Sequence, residues 1–136
     1  MSFNKVEILL PFSAYSVNKM TYRDVRFKTA EYKDWATKVL AALSDEKGLV
    51  DLAAIFNEKG GCFDVSVIVE YPHHVFYNKA GEISSKTIDC TNVGKPLIDL
   101  IFRDTMGVND KYITWYSEAK QVGPTHCIKV LVRLQP

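Results

Sequence analysis

The stretch CFDVSVIVEY, residues 62–71, reads as a strand. Phe63, Val65, Val67 and Val69 alternate with smaller or polar residues, the period of two that lines one buried face of a strand. Gly60-Gly61 ahead of it and Pro72 behind it mark its ends. Toward the N-terminus, Leu49 to Phe56 is apolar without choosing between helix and strand. Farther back, Tyr32, Trp35, Ala36, Val39, Leu40 and Leu43 recur at spacings of three and four. That spacing predicts an amphipathic helix, with Thr29 as its N-cap and Gly48 beyond its end. Val6 to Leu10, closed by Pro11, reads as a first strand that runs into a polar loop.

Toward the C-terminus, His73 to Thr87 carries Lys79, Gly81, Ser84, Ser85 and Lys86, the composition of a flexible loop with scattered positive charge. Leu97, Ile98, Leu100 and Ile101 predict a short second helix that stops near Gly107. Tyr112 to Tyr116 and Thr125 to Leu134 read as two strands joined through Gln121-Val122-Gly123-Pro124 in a closing hairpin. The order strand, helix, strand, helix, strand, strand predicts a single α+β domain over residues 1–136. Its mixed β-sheet is packed by two main helices.

Composition narrows the function. The 136 residues suffice for one hydrophobic core, and 47% hydrophobic with 24% charged residues excludes wholesale disorder. Lys and Arg exceed Asp and Glu by only 17 to 16, so a charged partner must be held by a local patch rather than by overall charge. Three cysteines about thirty residues apart, with no CxxC pair, indicate neither a disulfide framework nor a zinc knuckle. No apolar run approaches the roughly 18 residues of a membrane span, so the expectation is an intracellular, cytoplasmic protein with no membrane partner.

The most polar stretch that still looks ordered is Lys86 to Lys95, between the basic loop and the second helix. If Asp89 to Thr91 is extended, the Asp89 carboxylate and the Thr91 hydroxyl share a side, an arrangement that suits a hard cation. Asp110 is the natural second carboxylate. A helix of about ten residues from Pro96 is roughly 15 Å long, and the extended residues from Thr105 to Asp110 reach at most about 18 Å. The chain can therefore return Asp110 to Asp89, or a partner subunit can supply one of them. Tyr15, Tyr22, Arg23, Arg26 and Lys28 set aromatic and basic groups together, suited either to a DNA backbone or to packing in a solvated loop.

The pattern Asp89-x-Thr91-Asn92-x-x-Lys95-x-x-x-Asp99, followed by Asn109-Asp110-x-x-Ile113 and Lys120, resembles the RusA family of Holliday-junction resolvases. That family carries D-x-D-N-x-x-K-x-x-x-D, then D-D and a later lysine, and the intervals agree without a gap. The resemblance extends to Leu10-Pro11, to Ser16-x-Asn18, to the following helix and to the closing hairpin. It implies a homodimeric, magnesium-dependent endonuclease that cuts four-way DNA junctions, with manganese as the alternative ion. Small resolvases of this family are often phage or prophage products. Carried over by residue, the resemblance makes Asp89, Asp110 and Thr91 the metal ligands, Lys95 the cation near the scissile phosphate and Asn92 an orienting group. The DNA contacts expected are Asn18, Arg23, Arg26, Lys86 and Lys120.

The chain departs from that pattern at three places. Thr91 replaces the family's second aspartate and removes a negative charge from the metal site. Asn109 replaces the first acidic residue of the adjacent pair. Pro96 follows Lys95 directly and predicts a late helix start. Each site residue also has a structural reading: Asp89 and Asp110 as surface carboxylates, Thr91 and Asn92 as helix caps, Lys95 and Asp99 as an exposed pair, and His73-His74 as loop histidines. The alternative function is a catalytically impaired RusA-like protein that binds branched DNA or a protein without cleaving.

Overall fold

A computed structural model describes residues 4–15, 30–88 and 93–136. Its elements are β1 (Lys5–Leu10), α1 (Ala30–Ser44), α2 (Lys47–Lys59), β2 (Cys62–Tyr71), a single-turn α3 (His73–Phe76) and α4 (Gly94–Ile98). α4 continues without a break as a π-helix, Asp99–Met106. A 3-10 turn at Asp110–Tyr112 then leads into β3 (Ile113–Val122) and β4 (Cys127–Gln135). The architecture is α+β on a mixed four-stranded sheet, as the patterning requires.

The strand order is β1-β4-β2-β3, with β4 antiparallel to both β1 and β2, and β3 parallel to β2. Register aligns the apolar alternation of three strands into rows: Val6 with Val132 and Val65, Ile8 with Val130 and Val67, Leu10 with Ile128 and Val69. All nine are buried, and the helices cover that face. α1 contributes Tyr32, Trp35, Ala36, Val39 and Leu43; α2 contributes Leu49, Leu52 and Ala53. Phe63 meets Phe102 of the π-helix edge to face, with centroids 5.2 Å apart.

Three expectations are corrected. First, β3 and β4 form no hairpin, because β2 lies between them. β4 pairs with β1 on one side and β2 on the other, an interior position that its buried Ile128, Val130, Val132 and Leu134 suit, whereas Thr114, Tyr116, Glu118 and Lys120 give β3 a polar row suited to an edge. The link Gly123 to His126 steps over the end of β2, roughly 10 Å or two strand spacings. There Gly123 N donates to Tyr71 O at 2.9 Å. The Glu70 carboxylate fills the space where a Gly123 Cβ would sit, 2.6 Å from its nearer oxygen.

Second, the ambiguous Leu49 to Phe56 belongs to α2, so among the described residues three helical rods cover the sheet rather than two. Gly48 lies beyond the end of α1, as expected, but within the first turn of α2, where its weak helix propensity costs little. Third, His73 to Thr87 is folded. Phe76, Ser84 and Thr87 are buried, Tyr77 bridges Ile83, and the Asn78 side chain accepts from the Ala80 and Glu82 amides at 2.9 and 3.0 Å. The polar residues of this stretch are spent on turns, which composition alone cannot tell from flexibility. Among the described residues, no helix is long and apolar enough to cross a membrane.

Candidate active site

The sheet register brings Tyr116, Glu118 and Lys120 opposite Val65, Val67 and Val69, on the helix side of the exposed edge. Two of these β3 residues hold the chain on both sides of the motif. Lys120 Nζ donates to Thr87 Oγ1 at 2.9 Å, and Glu118 Oε1 accepts from Gly94 N at 3.2 Å. Tyr71 accepts from Ile88 N at 3.0 Å, Thr87 Oγ1 donates to Ser84 O at 2.8 Å, and Val93 is buried. Asp89, Thr91 and Asn92 themselves lie outside the described residues, as do Asn18, Arg23 and Arg26.

α4 begins at Gly94, so Pro96 has not delayed its start. A proline in the first turn gives up only an amide hydrogen that has no intrahelical partner there. Lys95 is thus helical, and Asp99 sits one turn ahead of it. Lys95 Nζ donates to Asp99 Oδ1 at 2.9 Å. The expected exposed pair is exposed at one end only: the Lys95 side chain is 55% accessible and that of Asp99 11%. A carboxylate buried to that extent requires a cation or donors beside it, and Lys95 supplies one.

Asp110 returns to the same place from the far end of the rod. The π-helix stops at Gly107, whose left-handed φ of 70° reverses the chain cheaply. Val108 is buried and its amide donates to Phe102 O at 2.9 Å, which fixes the return path. Asn109 caps the next turn by accepting from Lys111 N at 2.9 Å, leaving Asp110 half exposed with Oδ2 3.8 Å from Lys95 Nζ. The structure therefore unites Lys95 with Asp110, and Asn109 takes a structural part through its side chain.

An open groove of about 460 Å³ runs past Lys95, Asp99, Arg103 and Asp110. A contiguous hollow of about 260 Å³ extends from Lys95 and Asp110 to Tyr116 and Glu118. Burial, and then the hydrogen bond to Glu118, push the Tyr116 phenol far above its ordinary range, so it stays protonated and donates to Glu118 Oε1 at 2.7 Å. Burial, and then the charge of Asp99, raise the Tyr32 phenol above its ordinary range.

Asp110 offers a hard oxygen donor open to the groove, of the kind magnesium accepts alongside several waters. Among the described residues, no group of three His, Cys, Asp or Glu stands ready to hold an ion. Of the expected DNA contacts, Lys86 is exposed on a turn, and Lys120 is half-buried against Thr87. Tyr15 is drawn away from a DNA-facing role. Its ring packs with Tyr32 and Trp35 at 5.8 and 5.7 Å, and its hydroxyl donates to Glu31 at 3.4 Å. His73 and His74 sit exposed on α3, with His73 against the Tyr77 ring.

Sequence reasoning missed Glu118 and Tyr116, and set Asp99 aside. The missing signal was strand length: carrying β3 past Tyr116 to Val122 puts residues 116, 118 and 120 on one face. Neither a protein-family model nor a curated protein matches this chain.

Proposed function

We propose that this chain is a magnesium-dependent endonuclease that resolves four-way DNA junctions by hydrolysing phosphodiesters as a homodimer. The observation that carries this reading is the meeting of Lys95 with Asp110 in an open groove, from opposite ends of one helical rod. Those two residues belong to the ungapped pattern that resembles the RusA family. Both flanks of the intervening Asp89 to Asn92 segment are tied to the neighbouring strand.

In this reading Asp89, Asp110 and Thr91 hold the ion, with manganese able to replace magnesium. Bound there, the metal supplies a water of lowered pKa and offsets charge on the phosphate. Lys95 points its ammonium at the pentavalent phosphate, where negative charge grows, and Asn92 orients it. Lys86, Lys120, Arg23, Arg26 and Asn18 contact the backbones of the junction arms. A twofold dimer carries two such sites, one for each symmetry-related strand.

The test is a panel of labelled four-way, flapped and linear DNA incubated with the protein and magnesium. Paired nicks at symmetric positions of the four-way substrate alone support the reading. Equal cutting of linear duplex contradicts junction selectivity, and no cutting of any substrate contradicts nuclease activity.

One observation favours a second reading, a retired site that binds branched DNA without cutting. Lys95 already pairs with Asp99 and stands beside Asp110, so its charge competes with a metal ion where Thr91 has removed one carboxylate. Thr91→Asp separates the two: a raised cleavage rate marks an impaired enzyme, and an unchanged absence of cleavage marks a binding protein.

A further inference from the structure

α4 is capped from outside its own chain segment. Its N-cap residue is Val93, whose side chain makes no capping bond. Instead Glu118 Oε1, from the edge strand, accepts from Gly94 N at 3.2 Å and from the Tyr116 hydroxyl at 2.7 Å. A carboxylate at this helix end also meets the positive pole of the rod. Gly94 is buried, and a Cβ there would overlap the Tyr116 hydroxyl and crowd the Glu118 carboxylate, so any side chain at this position would displace the joint.

This joint stands where the proposed chemistry needs rigidity. Lys95 follows Gly94 directly, and Glu118 lines the same hollow as Lys95 and Asp110. Two residues farther along the same strand face, Lys120 holds Thr87. One face of β3 therefore ties down both sides of the Asp89 to Asn92 segment, with Glu118 on the side that carries the lysine.

We propose that Glu118, its carboxylate steadied by Tyr116, is a positioning residue of the hydrolytic site. It fixes where α4 begins and so aims Lys95 at the phosphate beside Asp110. The inference rests on the nuclease reading above. It assigns Glu118 a role through the Gly94 amide, not as a ligand: an accepting oxygen is what the joint requires.

The experiment compares wild type, Glu118→Ala and Glu118→Gln on a four-way junction in magnesium. Cleavage rate, junction affinity by fluorescence anisotropy, thermal midpoint and hydrogen exchange of the Gly94 amide are read together. Glu118→Ala is expected to slow cleavage by about tenfold or more while junction affinity stays within about twofold, the split expected of lost transition-state alignment. Its Gly94 amide should exchange at least about tenfold faster, with little change in thermal midpoint, as a local opening does. Glu118→Gln keeps an accepting oxygen and is expected to recover most of the rate and the protection.

A wild-type cleavage rate in Glu118→Ala overturns the inference and leaves the nuclease reading intact. Glu118→Gln as slow as Glu118→Ala also overturns it, because the negative charge would then be the requirement. A wild type that cuts nothing removes the nuclease reading, and the positioning role with it, before any variant is compared.

Discussion

The Lys95 ammonium lies 3.8 Å from the Asp110 carboxylate, while its shorter bond, 2.9 Å, goes to Asp99. One cation thus serves two carboxylates with different environments, Asp99 buried and Asp110 half exposed. The structural share of its charge goes to Asp99, and the share open to a ligand goes to Asp110.

Those shares separate in stability measurements. Lys95→Met leaves the Asp99 carboxylate without its cation and is expected to lower unfolding free energy by about 1–3 kcal/mol, the cost of an unsatisfied polar group. Asp110→Asn changes an exposed group and should stay within about 0.5 kcal/mol of wild type. Urea denaturation of the two variants checks both values.

Acid should loosen the step between β3 and β4. Glu70 is buried and accepts from Lys129 Nζ at 3.0 Å, Gln121 Nε2 at 2.6 Å and Cys127 Sγ at 3.2 Å. The Lys129 bond first, then those from Gln121 and Cys127, hold its carboxyl below the ordinary 4.5. The unfolded chain therefore binds this proton more readily than the folded one. Stability from Glu70 is complete above the ordinary value and drains away as pH falls through the lower, folded value. Thermal midpoints measured from pH 7 down to the acid limb are expected to fall less steeply in Glu70→Gln than in wild type.

Gly107 is the hinge of the return path that delivers Asp110. A Cβ there meets no atom within 4 Å, so the cost of Gly107→Ala lies in the left-handed backbone alone. A loss of about 1 kcal/mol is expected, read by urea denaturation. A larger loss would point to packing that the open surroundings do not provide.

Salt dependence tests the proposed DNA face. Lys86 is exposed, and its removal is expected to weaken junction binding evenly across sequences and to lower the salt slope by about one charge. Lys120→Ala should do the same and also release Thr87, so its cleavage rate should fall further than its affinity. Anisotropy titrations at several salt concentrations separate the two variants.

The sequence made the fold legible wherever one face of an element is buried. β2, the apolar face of α1 and the Gly107 stop all follow from periodicity and from glycine's freedom at positive φ. Strand partners were not legible, because turn residues such as Gly123-Pro124 suit a hairpin and a step over a neighbouring strand equally well. The decisive fact, that β4 is buried in the middle of the sheet, belongs to tertiary packing. In the site, Lys95 and Asp110 were legible as a motif, and their proximity needed the Gly107 turn to realise it. Glu118 stayed hidden because its role depends on β3 pairing with β2 and lying under the start of α4, a contact between residues 24 positions apart.

The most direct measurement is magnesium-dependent nicking of a synthetic four-way junction by wild type, Asp89→Asn and Asp110→Asn, with a chelator control. Wild type is expected to cut in magnesium and stop with chelator, and each variant to lose at least about tenfold in rate if its carboxylate holds the ion. Cleavage by all three proteins at one rate would contradict this account, because the two carboxylates would then have no part in the chemistry.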